Sequence, residues 1–304
     1  GDRNMRPKLI LTDLDGTLLR EDKRLSPANR AALEWAAAQG AEIVVSTGRL
    51  YTGIPQELRD LPFLRYFILM NGAKVYDRQT GQTLDRAEIP WATADAVIDF
   101  LEPLNCSVDC FQNDQGLMAR KYYDHLEQYV THPPSFDLVK HTRGPVDDLK
   151  EAIQTGGGSV QKFHAYFPDL ALRPKVMEQL RREFPELVQS ISMPANLELN
   201  AQDATKGHGL LTLCRCLGID PQETAAFGDG TNDISMLKAA GVGVSMSNGA
   251  PETLAAADLT APPTRRTGWH RSCPAGSLKT HKKPGERRSP GFPYPSCSSS
   301  PSEA

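Results

Sequence analysis

The fold is decided by a short apolar stretch that leads into two aspartates, Leu9-Ile10-Leu11-Thr12-Asp13-Leu14-Asp15-Gly16-Thr17-Leu18-Leu19. A brief apolar run that ends at a glycine-containing turn is typical of a buried strand in a parallel sheet. Ligands of open α/β sheets bind outside the carboxyl ends of such strands. The stretch therefore predicts that Asp13 and Asp15 lie where chemistry takes place.

The two aspartates are one residue apart and repel each other when both are ionised, unless a cation or hydrogen bonds offset the repulsion. Mg²⁺ is suited to this task because it prefers hard oxygen ligands. Gly16 allows a sharp turn and a close approach of the backbone to a ligand. The stretch thus predicts a magnesium site, and an acidic turn without a ligand is the alternative for the motif on its own.

Strands and helices alternate on both sides of the middle of the chain. In the first part, a helix begins at Ser26-Pro27, and strands over 41–45 and 66–70 flank a short helix near 54–59. In the last part, predicted helices over 205–217, 232–240 and 251–257 alternate with strands over 224–227, 242–246 and 258–261. This alternation predicts an α/β fold with a doubly wound, Rossmann-like parallel sheet.

The residues between these two parts follow another pattern, with short strands mixed with amphipathic helices. The predictions include helices over 91–104 and 122–130 and a strand over 136–140. We therefore predict an inserted α+β domain in a discontinuous core. The predicted division is 1–83 for the first part of the core, 84–200 for the insertion, 201–263 for the second part of the core and 264–304 for a tail.

The net charge of −3 is unevenly distributed. Residues 264–304 carry +6 and the other 263 residues carry −9, which argues against nucleic-acid binding by the globular part. The six cysteines form no zinc-like pairs, and their low density indicates reduced thiols and a cytoplasmic location. Neither a signal peptide nor a membrane-spanning stretch is recognisable, so no membrane partner is expected.

Polar groups at four strand ends or helix starts suit phosphoryl transfer, in which catalysis is mostly positioning and charge neutralisation. These groups are Asp13 with Asp15, Thr47, Lys206, and Asp229 with Asn232 and Asp233. One carboxylate can attack phosphorus and a second can exchange a proton with the leaving oxygen and with water. A metal ion would let the anionic carboxylate and phosphate approach each other.

Five strings in this order resemble the haloacid dehalogenase superfamily and, within it, the Cof-type phosphatases with an inserted α/β cap. They are Asp13-Leu14-Asp15-Gly16-Thr17, Thr47-Gly48-Arg49, Asn71-Gly72-Ala73, Thr205-Lys206-Gly207 and Gly228-Asp229-Gly230-Thr231-Asn232-Asp233. The resemblance covers about residues 8–261, and jointly the strings are far more specific than any one of them.

The resemblance implies roles by position. Asp13 corresponds to the nucleophile and a metal ligand, and Asp15 to the general acid/base whose backbone carbonyl binds the metal. Asp229 corresponds to the remaining metal ligand. The other matched residues are the phosphate binders Thr47, Gly48, Lys206 and Asn232, and Asp233, which orients water or Lys206. The inserted domain corresponds to the cap that closes over the site and selects the substrate.

Less specific interpretations remain for single residues. Thr47 alone is also compatible with capping the turn that follows it, Lys206 with a solvated lysine at a helix start, and Asp233 with a charge favoured by the helix dipole. For Arg49 the sequence leaves open a contact with the cap or with solvent only. The polar aromatic residues Tyr122, Tyr123 and His125 are candidates for substrate contact.

The expected function is magnesium-dependent hydrolysis of small organic phosphate monoesters, such as sugar phosphates or phosphorylated cofactors, through an aspartyl-phosphate. The alternatives are a phosphotransferase or phosphomutase on the same fold and a non-catalytic binding protein. The partner is thus expected to be a small-molecule phosphate ester, and the protein to be a monomer or a weak homo-oligomer.

The tail departs from the resembled family, which continues with Glu-Asp-Gly-Val-Ala and a closing amphipathic helix. From Thr264 the chain has six prolines and eight serines in 41 residues and no helical periodicity, which predicts disorder. Residues 264–270 have possible codons that read Lys-Asp-Gly-Val-Ala in a shifted frame. A reading-frame slip near residue 263 is therefore one hypothesis for the origin of the tail, and sequencing the coding DNA tests it.

Overall fold

The computed structural model describes residues 4–262 and 278–279. The first part of the chain forms β1 (Asn4–Met5), β2 (Leu9–Thr12), α1 (Pro27–Ala38), β3 (Glu42–Ser46), α2 (Gln56–Arg59), β4 (Leu64–Leu69), β5 (Lys74–Asp77) and β6 (Gln82–Arg86). The middle forms α3 (Trp91–Leu101), β7 (Ser107–Gln112), β8 (Gln115–Ala119), α4 (Arg120–Tyr123), α5 (Pro133–Thr142), β9 (Arg143–Val146), α6 (Leu149–Thr155), β10 (Lys162–Tyr166), α7 (Leu172–Glu183), β11 (Leu187–Ser190) and β12 (Asn196–Ala201). The last part forms α8 (Lys206–Leu217), β13 (Thr224–Gly228), α9 (Ile234–Ala239), β14 (Val242–Met246), α10 (Pro251–Ala256), β15 (Leu259–Ala261) and β16 (Leu278–Lys279).

An eight-stranded sheet forms the core, in the order β15-β14-β13-β2-β3-β4-β5-β6. The strands from β15 to β4 are parallel, and β5 and β6 add an antiparallel edge. Successive side chains of β2 point to opposite faces: Ile10 packs with α1, whereas Leu9 and Leu11 pack with α8 and α9. Helices therefore cover both faces, and the predicted doubly wound α/β fold is confirmed.

The cap, as we now call the inserted domain, is built on a six-stranded sheet in the order β11-β12-β10-β7-β8-β9. One face of its central strands is apolar: Cys110, Phe163 and Leu199 pack there in a separate hydrophobic cluster with α3, α6 and α7. The alternate side chains of the same strands are mostly polar, except that Phe111 packs in the hydrophobic cluster of the core. The cap therefore has its own hydrophobic core on one face and presents a polar face on the other.

The predicted strand over 136–140 is wrong, because these residues lie in α5. Pro133 and Pro134 occupy the first helical turn, where proline is tolerated, and Phe136 and Val139 are three residues apart on one side. The strand that pairs with β8 is instead β9, immediately after α5.

The predicted helix over 122–130 is also interrupted. The chain forms α4 and then a single 3-10 turn over Leu126–Gln128. The candidate substrate residue Tyr122 is buried in the cap's hydrophobic core, and the hydroxyl of Tyr123 donates to the carbonyl of Lys140 at 3.1 Å. The contacts of both tyrosines thus lie within the cap.

The predicted domain boundaries remain a proposal, and the strands refine where they fall. The boundary between residues 83 and 84 lies inside β6, which pairs with β5 in the core sheet. The boundary after residue 200 lies within the last strand of the cap, β12.

No helix among the described residues is long and apolar enough to cross a membrane. The predicted disorder of the tail falls on residues outside those described. The two described residues of the tail, Leu278–Lys279, form β16 and pair with β1.

Candidate active site

Asp13 follows β2 at the carboxyl edge of the core sheet, where the sequence predicts the site. Its backbone amide donates to the carbonyl of Phe227 in β13 at 2.9 Å, so the neighbouring strand fixes its position. Because β2, β3 and β13 are parallel neighbours, the loops that follow them meet at this edge. Those loops carry Thr47 after β3 and Asp229 after β13.

Three carboxylates form an acidic group at this edge. Each of Asp13, Asp229 and Asp233 offers an oxygen within 4.8 Å of the oxygens of the other two, and such a group could hold a metal ion. Burial, followed by the charge of Asp233, raises the pKa of Asp13 well above its usual value and that of Asp229 to about 6. A divalent cation would relieve this repulsion, so the three residues fit a hard metal ion.

Lys206 lies at the start of α8, which the Thr205 hydroxyl caps by accepting from the amide of His208 at 3.1 Å. The Lys206 ammonium is fully buried, and its Nζ donates to Asp13 Oδ1 at 2.9 Å and to Asp233 Oδ1 at 2.6 Å. Burial lowers the pKa of Lys206, but the two carboxylates outweigh burial and raise it above the ordinary value. Lys206 is therefore a charged partner of Asp13 and not a solvated lysine.

Asp233 uses both of its oxygens inside the site. Oδ1 accepts from Lys206, and Oδ2 accepts from the backbone amides of Asp229 and Gly230, each at 2.9 Å. The carboxylate is completely buried. Asp233 is also the N-cap residue of α9, so the interpretation as a charge favoured by the helix dipole stays compatible with these contacts. These contacts favour the predicted orienting role of Asp233 over direct metal ligation.

The carboxylate of Asp15 lies outside the acidic group. Arg49 holds it through two hydrogen bonds, from Nε to Oδ2 at 2.8 Å and from Nη2 to Oδ1 at 2.6 Å, and Lys23 Nζ adds a third at 2.8 Å. Burial alone would raise the pKa of Asp15, but Arg49 and Lys23 lower it to about 2. Asp15 is thus ionised in this conformation. The predicted metal contact through its backbone carbonyl stays a prediction.

The remaining predicted residues surround the same edge. The Thr47 hydroxyl accepts from the amide of Arg49 at 3.1 Å, so it does cap the turn, but a hydroxyl that accepts can still donate to a phosphate. The carbonyl of Gly48 accepts from Lys162 Nζ of the cap at 2.7 Å. Asn232 Nδ2 donates to Asn71 Oδ1 at 3.0 Å. The predicted role of Thr47, Gly48 and Asn232 as phosphate binders remains a proposal.

The comparisons with known proteins agree with this geometry. A sequence profile of haloacid dehalogenase-like hydrolases matches residues 10–268. Phosphatase YwpJ of Bacillus subtilis is 30% identical over 278 residues, which cover 83% of this chain and 93% of that protein. The HMP-PP phosphatase of Serratia proteamaculans is 31% identical over 248 residues, with coverages of 81% and 85%. The chain belongs to the haloacid dehalogenase-like hydrolases.

Solved structures of such hydrolases share the whole architecture. One of them is the sugar phosphatase BT4131, of haloacid dehalogenase subclass IIB, which has a TM-score of 0.75 and is 25% identical in sequence to this chain. The match covers 87% of this chain and 97% of that structure. The resemblance seen in the sequence is therefore confirmed, as is the predicted enzyme class, a phosphatase of the haloacid dehalogenase type. The family match favours an enzyme over the non-catalytic binding protein.

Several polar residues of this site have contacts that the sequence does not predict. Asn71 adopts the left-handed conformation with φ of 64° and is buried, which the Asn-Gly pair after β4 could have signalled. Arg49 binds Asp15 of the core domain, a contact beyond the cap or solvent contacts that the sequence leaves open for it. Lys162 is 114 residues from its partner Gly48, and Glu198 is 127 residues from its partner Asn71. No short stretch of sequence predicts these two contacts, because only the fold brings the partners together.

Substituting Gly16 by alanine tests how closely the backbone must approach Asp229. A Cβ at residue 16 would lie 2.2 Å from Asp229 Oδ2, and φ is +79°. We expect a loss of stability of about 1–2 kcal/mol from the left-handed backbone, a further loss from the displaced carboxylate, and weaker Mg²⁺ binding. Thermal unfolding and Mg²⁺ titration measure both effects.

Gly81→Ala is the matched control, since Gly81 has φ of +72° and no atom within 4 Å of the position that a Cβ would take. This variant should show the backbone cost and unchanged Mg²⁺ binding. Equal Mg²⁺ binding by both variants would contradict the role given to the approach of Gly16 to Asp229.

Proposed function

We propose that this hydrolase uses Mg²⁺ to hydrolyse small organic phosphate monoesters through an aspartyl-phosphate on Asp13. The observation that carries the proposal is the environment of Asp13, which has the Lys206 ammonium at 2.9 Å and the carboxylates of Asp229 and Asp233 beside it. The relatives act, by their names, on small phosphate compounds, which supports the same substrate size here.

The donor set supports Mg²⁺ as the cofactor. Asp13 and Asp229 offer carboxylate oxygens, and the absence of a side chain at Gly16 leaves room for Asp229. The resemblance to the family adds the backbone carbonyl of Asp15 as a further proposed ligand. Hard oxygen ligands of this type suit Mg²⁺. When bound, the ion would supply the positive charge that allows a carboxylate and a phosphate to approach each other.

The residues of the site would divide the reaction between them. Asp13 attacks phosphorus, the bond from phosphorus to the leaving oxygen breaks, and that oxygen takes a proton from Asp15. Asp15 then removes a proton from water, which attacks the aspartyl-phosphate and releases inorganic phosphate. Lys206, Thr47, the Gly48 amide and Asn232 would hold the phosphate oxygens during both steps.

The ion pair between Arg49 and Asp15 adds a requirement to this sequence. Asp15 must carry a proton to act as the acid, whereas Arg49 and Lys23 favour its ionised form. We therefore propose that these contacts loosen when an ester is bound and Asp15 is protonated. The pair would form again once the proton has passed to the leaving oxygen, and it would then stabilise the ionised Asp15 that removes a proton from water.

An assay with phenyl phosphate tests the proposal. We expect phosphate release with Mg²⁺ and none with a chelator, and the activity should return when Mg²⁺ is restored. Transfer of the phosphoryl group to an added sugar in place of water would favour the phosphotransferase alternative. A folded protein that does neither would contradict the proposal.

The pH dependence of stability without metal provides an independent prediction. Because the pKa of Asp229 is raised from 3.8 to about 6, the folded state keeps a proton that the unfolded state releases. The free energy of unfolding should therefore rise as pH falls from about 7 to about 4, by on the order of 2 kcal/mol relative to Asp229→Asn. Denaturant unfolding at several pH values measures this difference. Saturating Mg²⁺ should abolish this difference between the two proteins in the pH dependence of unfolding. A difference of the opposite sign would contradict the raised pKa of Asp229.

The setting of the activity is part of the proposal. Cys106, Cys110 and Cys214 form no disulfide among the described residues, which supports the proposed cytoplasmic location. A monomer or weak homo-oligomer stays a prediction.

A further inference from the structure

Three side chains form a chain of hydrogen bonds between the cap and the loop that carries Asn232, a proposed phosphate binder. Glu198 Oε2 on β12 accepts from Asn71 Nδ2 at 2.7 Å, and Asn71 Oδ1 accepts from Asn232 Nδ2 at 3.0 Å. We call Glu198, Asn71 and Asn232 the hydrogen-bond chain. Asn71 therefore contacts the cap with one end of its amide and the proposed phosphate site with the other.

The backbone of Asn71 is fixed between two other loops of the site. Its amide donates to the carbonyl of Thr47 at 3.0 Å, and its φ of 64° lies in the left-handed region, which asparagine tolerates better than most residues. At the next residue, Gly72, a Cβ would lie only 2.3 Å from the carbonyl oxygen of Thr205, which precedes Lys206. Asn71 is 4% exposed, so its side chain is held in place by its neighbours.

Glu198 determines which end of the Asn71 amide faces the cap. Burial alone would raise the pKa of Glu198, but the charge of Lys162, together with neighbouring hydrogen-bond donors, lowers it to about 2. Near neutral pH the carboxylate is therefore ionised and can only accept hydrogen bonds. Asn71 must then turn its Nδ2 to Glu198 and its Oδ1 to Asn232.

The same reasoning fixes the amide of Asn232. Because Asn71 Oδ1 can only accept, Asn232 must present its Nδ2 to it. An NH2 group carries two hydrogens, so Asn232 Nδ2 can donate to Asn71 and to a phosphate oxygen at the same time. In the reversed orientation, Asn232 would present its Oδ1, which would repel an anionic phosphate oxygen.

We propose that Asn71 is a positioning residue for phosphate binding: held by the carboxylate of Glu198, it orients the amide of Asn232 so that an N–H group faces the phosphate. This inference rests on the proposed phosphatase function and adds a residue that acts through a phosphate binder. Its effect does not depend on the organic part of the ester, because the hydrogen-bond chain ends at the phosphate group.

Asn71→Gly removes the middle of the hydrogen-bond chain and keeps a left-handed backbone, which glycine adopts freely. We expect the KM for phenyl phosphate and the inhibition constant of inorganic phosphate to rise about tenfold, with kcat changed by less than about twofold. A purely structural defect would reduce the fraction of folded enzyme, which lowers kcat and leaves both constants unchanged. Steady-state kinetics and thermal unfolding together separate the two cases.

Asn113→Gly is the matched control. Asn113 also has a positive φ, of 50°, and its Nδ2 donates to the carbonyl of Gly156 at 2.8 Å, but it is exposed in the turn between β7 and β8. The variant loses an asparagine in the same backbone conformation, together with its hydrogen bond. It should keep the wild-type KM and the wild-type inhibition constant of phosphate.

Glu198→Gln tests the orientation of the amides without changing the side-chain volume. The ammonium of Lys162, which contacts Glu198 Oε1 at 3.1 Å, only donates, so the new amide must keep its oxygen there and turn its NH2 to Asn71. Asn71 and Asn232 then reverse, and the inhibition constant of phosphate should rise about fivefold or more. Glu178→Gln, an exposed change on α7, is the control and should leave it unaltered.

The decisive measurement repeats both substitutions in an Asn232→Ala protein, which lacks the end of the hydrogen-bond chain. There, neither Asn71→Gly nor Glu198→Gln should raise the inhibition constant of phosphate further, because both act through Asn232. Glu198→Gln decides the question on its own if Asn71→Gly does not fold.

Equal increases with and without the Asn232 side chain would overturn the inference, as would unchanged constants in the folded variants. Either result leaves the phosphatase proposal intact as long as the wild-type protein releases phosphate from phenyl phosphate. Failure of the wild-type protein to do so would overturn the proposed function and, with it, this inference.

Discussion

Replacing Asp13 by asparagine is expected to reduce phosphate release from phenyl phosphate by on the order of 10⁴-fold or more. The amide has nearly the shape of the carboxylate but cannot attack phosphorus. The substitution also removes one of three crowded negative charges, so we expect the variant to fold and, without Mg²⁺, to be at least as stable as the wild type. Steady-state kinetics and thermal unfolding measure the two effects.

Asp137→Asn is the control, since Asp137 is exposed on α5 and the same chemical change there lies away from the core sheet and should leave kcat and stability unaltered. Retention of more than a tenth of the wild-type kcat by a folded Asp13→Asn protein would contradict the assignment of Asp13 as the nucleophile.

Replacing Lys206 by methionine is expected to impair both stability and activity. The change leaves the buried carboxylates of Asp13 and Asp233 without their cation. Removing one partner from a buried ion pair costs about 3–5 kcal/mol, so unfolding should occur at a clearly lower denaturant concentration. Activity should fall as well, because the ammonium is proposed to hold a phosphate oxygen.

Lys238→Met provides the matched control, because Lys238 is exposed on α9 and the same chemical change there leaves no buried carboxylate without its cation. The loss of unfolding free energy in Lys206→Met should be smaller at low pH, where the unpaired carboxylates of Asp13 and Asp233 take up protons. Equal stability of the Lys206 and Lys238 variants at neutral pH would contradict the buried ion pairs as described.

The core and the acidic group were predictable because local signals and a topological rule act together. Alternating strands and helices predict the parallel sheet, and parallel strands place their carboxyl ends at one edge. Asp13 and Asp229, 216 positions apart, therefore meet without any need to know the packing in detail. The motif Thr205-Lys206 likewise marks a helix start, which turns Lys206 towards the same edge.

Other features depend on packing that short windows do not contain. Residues 136–140 look apolar enough for a strand, but Pro133 and Pro134 begin a helix there, and the pairing with β8 goes to Arg143–Val146. The ion pair of Arg49 with Asp15 joins residues 34 positions apart across two loops. Loop conformations, unlike sheet edges, do not follow from the order of the strands.

The buried polar face of the cap sheet is the clearest case of this limit. Alternation in β10 and β12 predicts which side chains share a face, yet a buried Lys162 and Glu198 contradict the usual preference of charged residues for solvent. Their burial follows from the closure of the cap over Gly48 and Asn71, which are contributed by the other domain. Tertiary contacts, and not local propensity, thus determine the part of the site that would select the substrate.

Rapid quenching of the enzyme during turnover tests the central claim most directly. Acid quench of a reaction with Mg²⁺ and phenyl phosphate, followed by proteolysis and mass spectrometry, locates any covalent phosphoryl group. We expect one phosphoryl group on the peptide that contains Asp13, formed before phosphate appears and absent from the Asp13→Asn protein. Phosphate release at the full rate with no phosphoryl group on that peptide, or with the group on another residue, would contradict it.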